Sequence, residues 1–326
     1  MTKAKWIVFP ILILLLAGWW MWPWSMEPEQ PTAISVDRLR VITYNVQLLP
    51  LRRLNKRPNA AYRAAEQVKR LAVYDIVGLN EVFAADRRTQ IIDSLKKAWG
   101  PEFQCVTSRE EDRSVLGLDS GLVLATRLPI VESHTLVFGN DSRMLEGGVF
   151  GDGFCSKGAL HARLERSCAG GEDILIDCFV THLESVDPAR REEQYNKLAQ
   201  FMREHSGSDN PVILLGDLNT VGDRNEMNDP KSQYRRMWSA LVAARPNWID
   251  LGRLIDASQQ GTSDPEAPTG GQRIDYILIS NGPHAEQLRP VRAKTHPFPD
   301  PHVKFLSDHC AVEADFELAA NTHLNE

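Results

Sequence analysis

Five short polar islands carry the residue types that phosphate and hard-metal chemistry require. They are Tyr44-Asn45, Asn80-Glu81, Thr181-His182, Gly216-Asp217-Leu218-Asn219 and Ser307-Asp308-His309. Carboxylate and amide oxygens suit Mg²⁺, which keeps several waters and takes few protein ligands. Imidazoles suit proton transfer near neutral pH. Glu81 follows a buried-looking strand, where a charge needs a partner or a metal; a lysine is the plainer partner. Asp217 and Asn219 stand two apart, so in extended chain both side chains lie on one side. One then orients water or metal while the other donates to a phosphate oxygen. The same tetrapeptide also suits an Asp/Asn turn.

What must position these residues is a set of strands. The first four islands close apolar, β-branched runs at 39–43, 76–79, 174–180 and 212–215. Strand ends that open onto one cleft bring together residues remote in sequence. Around them the pattern predicts strands over 39–46, 75–79, 121–125, 159–164, 212–215, 274–279 and 311–316. Helices are expected over 60–73, 87–99, 188–205 and 232–245, with Pro188 in the first turn of the third. The helix at 60–73 has an apolar face of Ala61, Ala64, Ala65, Val68, Leu71 and Ala72. Long strand-only stretches argue against a simple βαβ array. Two mixed sheets packed face to face, with helices outside, accommodate them in one α/β domain.

The chain of 326 residues has 43% hydrophobic and 25% charged content and a formal net charge of -6, as expected of a folded globular protein. A nuclease gripping many phosphates usually shows a basic footprint, and no long basic stripe offsets the acidic total here. Residues 6–24 (WIVFPILILLLAGWWMWPW) lack charge. As a helix they span roughly 28 Å, close to the bilayer hydrocarbon core. Lys3 and Lys5 precede them and Glu27 and Glu29 follow, which orients the N-terminus to the cytoplasm. Trp19, Trp20, Trp22 and Trp24 sit where interfacial aromatics belong. A cleaved secretory signal is the alternative, but Trp and Met occupy the place of its small-residue cleavage site. Either way the following domain is exported. The divisions are 1–25 anchor or signal, 26–35 linker, 36–318 catalytic domain and 319–326 tail. Cys105, Cys155, Cys168, Cys178 and Cys310 show no CxxC spacing, which argues against a zinc cluster. A disulfide of Cys155 with Cys168 or Cys178 and buried free thiols both remain open.

The islands, taken in order with Ser120-Gly121 and Asp275-Tyr276, resemble the endonuclease/exonuclease/phosphatase superfamily over about 36–318. Within it the wording is similar to the neutral sphingomyelinases. Leu79-Asn80-Glu81-Val82-Phe83 has Asn before the Glu, where nucleases of the superfamily usually carry Gln. The 151–158 stretch is similar to that branch's loop, with Asp152 five residues before Lys157. The Pro-Ala-Trp-Cys-Asp-Arg block of inositol polyphosphate 5-phosphatases is absent.

The resemblance implies a four-layer sandwich of two mixed β-sheets flanked by helices, preceded here by the N-terminal transmembrane helix. It makes Glu81 the principal ligand of Mg²⁺, or of Mn²⁺ in its place, with Asn45 touching metal or phosphate. Asp308 faces the metal or the attacking water. His309 becomes the general base, oriented by Asp275, with Asp217 helping to position water. His182 donates to the phosphoryl oxygens, Asn219 binds phosphate, and the Asp152–Lys157 loop moves so that Lys157 meets phosphate. An ordinary Gly-rich turn is the plainer reading of that loop. Arg52, Arg53, Lys56 and Arg57 form a basic loop that meets anionic head groups or solvent. The implied activity is hydrolysis of a phosphosphingolipid such as sphingomyelin, with a membrane phospholipid as partner and no stable nucleic-acid partner. A Mg²⁺-dependent nuclease or other phosphodiesterase of the superfamily is the enzymatic alternative. A tethered binding module without catalysis is the non-enzymatic one.

Overall fold

The structure is a computed structural model and describes residues 34–35, 37–50, 52–108, 118–139, 155–167, 173–255, 261–281 and 288–318. In chain order the elements are β1 (Arg38–Leu48), α1 (Ala60–Leu71), β2 (Ile76–Val82), α2 (Ala85–Trp99), β3 (Gln104–Thr107), β4 (Val123–Thr126), β5 (Ile130–Val137), β6 (Gly158–Ser167), β7 (Asp173–His182), α3 (Pro188–His205), β8 (Val212–Asp217), α4 (Arg224–Asn228), α5 (Gln233–Ala244), β9 (Trp248–Asp250), β10 (Asp275–Ser280), β11 (Leu288–His296), β12 (Pro299–Asp300), β13 (Lys304–Phe305) and β14 (Ala311–Leu318). Two six-stranded sheets run β11-β14-β1-β2-β4-β3 and β5-β6-β7-β8-β10-β9. Both are mixed: β1 pairs parallel with β2, and β7 parallel with β8, among antiparallel neighbours.

Alternation along the strands sorts side chains into three cores. Leu39 and Val41 of β1, Ile76 of β2, Ile176, Cys178 and Val180 of β7, Ile213 and Leu215 of β8, and Ile277 and Ile279 of β10 meet between the sheets. The opposite faces carry Ile42, Tyr44, Val77 and Leu79 against α1 and α2, and Phe179, Leu214 and Leu278 against α3 and α5. This is an α/β sandwich of two mixed sheets flanked by helices. Helix starts are set locally. Asp187 accepts from the amides of Ala189 and Arg190 ahead of α3, and Ser232 accepts from that of Arg235 ahead of α5, the ordinary N-cap arrangement.

The inner face of α1 differs from the expected apolar stripe. Arg63, Ala64, Gln67, Val68 and Leu71 are buried, and Ala61 is exposed. The polar members face inward because irregular backbone beside the helix needs donors. Among the described residues no helix is long and apolar enough to cross a membrane. Residues 6–24, where the anchor is expected, lie outside the described residues, as do Asp152 and Cys168. Cys178 and Cys310 are buried free thiols and Cys105 a half-buried one, so Cys155 and Cys178 are not joined.

Two residues of β2 set how closely the sheets approach. Gly78 faces the inter-sheet core, where an added Cβ would lie 3.0 Å from Val180 Cγ2 and 3.1 Å from Leu215 Cδ1. Two residues on, and so on the same face, fully buried Asn80 crosses to the second sheet. Its amide nitrogen donates to the Thr181 carbonyl at 2.8 Å, and its oxygen accepts from the Asp217 amide at 3.2 Å. Replacing Asn80 by Leu leaves both backbone groups buried without this partner, at a cost of about 2 kcal/mol or more. Asn80→Leu should therefore lower the denaturant midpoint, and Gly78→Val should do the same by wedging the sheets apart. Unchanged midpoints in both variants would contradict this reading of the interface.

Candidate active site

The polar islands converge because the inter-sheet face of each strand ends in one of them. Asn45 has the parity of Leu39 and Val41, His182 that of Cys178 and Val180, Asp217 that of Ile213 and Leu215, and Asp275 that of Ile277 and Ile279. Register then sets them side by side. His182 stands opposite Asp217, and Asp217 opposite Asp275; Asn45 stands opposite Asn80 in the other sheet. β14 runs antiparallel to β1, with Val312 opposite Thr43. Residues 307–309 therefore fall beside the end of β1, where the Ser307 hydroxyl donates to the Asn45 carbonyl at 2.7 Å.

Glu81 alone breaks the parity rule. Its φ is +59°, a sparsely populated region for a residue with a side chain, and the β1–β2 register shifts between Asn45 and Leu48. The turned backbone brings its carboxylate to the cleft, where the Asn45 amide nitrogen donates to Glu81 Oε1 at 2.9 Å and to Asp217 Oδ2 at 3.1 Å. The Asn45 side-chain oxygen accepts from the Gln47 amide at 3.2 Å. Asn45 thus ties a carboxylate of one sheet to a carboxylate of the other.

His309 Nδ1 lies 2.9 Å from Asp275 Oδ2, both side chains being buried, and His309 Nε2 lies 3.8 Å from Asp217 Oδ2. Burial by itself would lower the imidazole pKa. The neighbouring charge and hydrogen bond of Asp275, with the charges of Asp217 and Asp308, outweigh it and raise the pKa well above the usual histidine range. Asp217 is pushed up to about 7, first by burial and then by the charge of Asp275.

Opposite them, fully buried Lys157 places Nζ 2.9 Å from His182 Nε2, and His182 Nε2 is 3.7 Å from Asp217 Oδ2. Lys157 therefore reaches the cluster, whereas its expected loop partner Asp152 lies outside the described residues. Asn219 departs from the extended reading. With φ at +47°, its amide donates to Asp217 Oδ1 at 2.9 Å and its side chain to the Leu183 carbonyl at 2.9 Å. The Asp/Asn turn is the form adopted, because Asp217 Oδ1 caps the chain as it reverses. Gly216 just before it has φ +141°, and a Cβ there would lie 1.9 Å from the Thr181 carbonyl oxygen, so only glycine fits.

Two sets of residues offer metal-ligand chemistry. Burial raises the Glu81 pKa, and the charge of Asp308 raises it further; the Lys56 ammonium reaches Asp308 Oδ2 at 2.8 Å. Two carboxylates drawn together around a cation are a donor set that suits a hard divalent ion. Asp217, Asp275 and His309 form a second possible metal site, each with a ligand atom within 4.8 Å of the others. Asp275 Oδ1 there is buried without a hydrogen-bond partner. The 2.9 Å contact of His309 Nδ1 with Asp275 Oδ2 makes the same pair a proton-handling unit.

Residues outside the islands hold this geometry. Arg63 Nη1 donates to the carbonyls of Val46 and Leu306, both at 2.9 Å, and Nη2 to that of Gln47 at 2.7 Å; Gln67 Nε2 adds bonds to Val46 and Leu306. One helix thereby clasps both the Asn45 and the Asp308–His309 segments. The Thr262 hydroxyl accepts from the amides of Ile274 and Asp275, and the Thr262 carbonyl accepts from the Cys310 amide at 2.7 Å. It joins the two ends of the Asp275–His309 pair. Spacing alone marks none of these, although a lone Arg on an otherwise inward-facing helical stripe is a readable hint.

Residues 42–309 match the Endonuclease/Exonuclease/phosphatase family. The chain is 25% identical over 270 residues to a sphingomyelinase C of Bacillus cereus, covering 75% of each. It is 28% identical over 274 residues to a sphingomyelinase of Dictyostelium discoideum, covering 65% of this chain and 58% of that one. The fold is similar to that of a beta toxin variant from Staphylococcus aureus with bound magnesium ions, with a TM-score of 0.63 at 20% identity over 85% of this chain and 99% of that one. It is also similar to an endonuclease/exonuclease/phosphatase from Beutenbergia cavernae, with a TM-score of 0.60 at 21% identity over 87% and 72%. Strand ends of two sheets pooling Asn45, Glu81, His182, Asp217, Asp275 and His309 are thus set in a fold and a sequence frame shared with these proteins, and the chain belongs to the Endonuclease/Exonuclease/phosphatase family.

Proposed function

We propose that the chain is a phosphoric diester hydrolase of the sphingomyelinase C type, releasing the phosphorylated head group of a phosphosphingolipid by attack of water on phosphorus. The observation that carries the reading is the buried His309–Asp275 pair facing Asp217, with Lys157 and His182 on the other side. Asp275 accepts a hydrogen bond from His309 Nδ1–H and fixes the tautomer, so that Nε2, once it has given up its own proton, takes one from water. Asp217, 3.8 Å away, orients that water. Lys157, whose ammonium donates to His182 Nε2, supplies positive charge toward the phosphoryl oxygens with His182 beside it, stabilising charge that builds there. Asn219 holds Asp217 in place through its amide and completes the phosphate-binding edge.

Glu81 and Asp308 are the residues that hold a divalent cation, Mg²⁺ or Mn²⁺, with Asn45 beside them. When bound, the ion neutralises charge on the phosphoryl and departing oxygens. The sphingolipid substrate rests on the names of the relatives and on the Asn80-Glu81-Val82-Phe83 wording. Residues 6–24 anchor the chain, with the domain of residues 36–318 exported and held near a substrate that stays in the bilayer.

Purified protein with Mg²⁺ should release phosphocholine from sphingomyelin vesicles, lose this with a chelator or in Glu81→Ala, and leave plasmid DNA intact. Plasmid nicking without phosphocholine release would replace the lipid reading by the nuclease one. Unimpaired Glu81→Ala at ordinary Mg²⁺ would remove the metal assignment.

His309→Ala and Asp275→Asn should each lower turnover about 10²–10⁴-fold. The double variant should be little worse than the weaker single one, because groups serving one step are non-additive. Multiplying losses would mean that the two act separately and would make Asp217 the better base.

Deleting residues 1–33 should move the protein from the membrane fraction to the soluble one, with activity kept on detergent-dispersed lipid. A truncated chain that stays with the membrane would show that another surface binds lipid.

A further inference from the structure

Away from the catalytic cluster, a cavity of about 490 Å³ is lined by Arg224, Arg235, Arg253 and Arg273 together with Met227 and Asn228. The arginines come from four places in the chain: α4, α5, the turn Leu251–Leu254, and the residue two before Asp275. Arg273 forms the buried floor, and its charge is already matched. Nη1 and Nη2 each lie 2.9 Å from an oxygen of Asp250, and Nε donates to the Gly222 carbonyl at 2.8 Å. Arg224, Arg235 and Arg253 are exposed, and their guanidinium groups have no hydrogen-bond or ion-pair partner among the described residues. Acidic residues outnumber basic ones in this chain by 43 to 37, and many other arginines find carboxylates, among them Arg88, Arg127, Arg163, Arg236 and Arg292. Three guanidinium groups unmatched among the described residues surround one concavity, with no acidic side chain among its described lining residues, and form a local cationic site inside an acidic protein.

We propose that this cavity binds a small anion carrying two or more phosphoryl groups. The guanidinium fork matches phosphate oxygens two at a time, and every basic group lining the cavity is Arg rather than Lys. Three separate positive groups exceed what one carboxylate or one phosphate monoester would neutralise. The volume lies within the roughly 300–1,000 Å³ of small-ligand sites and favours a compact ligand over an extended polymer. The phosphoryl groups can belong to a soluble pyrophosphate or to a bisphosphorylated lipid head group.

The test is calorimetric titration of the full-length, metal-free protein in detergent at fixed ionic strength. Inorganic pyrophosphate and a short-chain bisphosphorylated inositol lipid are the two probes, and inorganic phosphate is the single-group control. At least one of the two probes should bind at one site per chain, more tightly than phosphate. Arg224→Gln, Arg235→Gln and Arg253→Gln should each weaken that binding about 10-fold or more, with unchanged circular dichroism. Arg203→Gln, an exposed residue of α3 that does not line the cavity, should leave it unchanged. Preference for pyrophosphate identifies a soluble ligand, and preference for the inositol lipid a head group; either supports the site. Absence of binding by both probes, or binding undiminished in the triple Arg→Gln variant, overturns it. The second result would place the anion at the catalytic cluster instead.

Discussion

The contact between the two sheets governs everything that the cleft can do. Asn45, Glu81, Asp308 and His309 belong to the first sheet and its flanks; Lys157, His182, Asp217 and Asp275 belong to the second. Neither half holds a complete set of acid, base and ligand groups. Gly78 lets the backbones come close, and Asn80 bonds across to Thr181 and Asp217. Asn45 then reaches Glu81 and Asp217 together. Packed interiors are rigid, so an apolar core on one side of these bonds fixes polar distances on the other.

That rigidity has an electrostatic cost. Glu81, Asp217, Asp275 and Asp308 are gathered with little water, and unpaired buried charge is strongly unfavourable. The fold offsets it with His309, Lys157 and Lys56, and with backbone donors such as the Asn219 amide. The compensation remains incomplete: Asp217 and Glu81 still hold protons more tightly than ordinary carboxyls. Perturbed titration in a cleft marks groups arranged for reaction rather than for stability. The positive φ of Glu81 belongs to the same account, since strain of this kind persists only where surrounding structure enforces it.

Much of this was readable in the residues. The central strands announce themselves because both faces are buried, and their period-2 order already assigns Asn45, His182, Asp217 and Asp275 to the face shared with Val41, Val180, Leu215 and Ile277. Within the two large sheets, the strands that hydropathy does not announce, β3, β5, β9 and β11, are the edges. Edge strands are short or polar, as in the Arg- and Lys-bearing, Pro-interrupted β11, because one side meets solvent. For Asn219 the residues leave the extended form and the turn both open, because the turn depends on an Asp217 side-chain bond that spacing cannot distinguish from a strand. Arg63 is illegible for another reason: its value lies in joining carbonyls of the preceding strand to that of Leu306, 243 residues away.

The central claim is that this interlocked cleft directs water onto the phosphorus of a lipid phosphodiester. Turnover of sphingomyelin in ¹⁸O-water with Mg²⁺ tests it most directly. One labelled oxygen should appear in the released phosphocholine and none in the ceramide. Label in the ceramide, or no phosphocholine at all, would contradict the account.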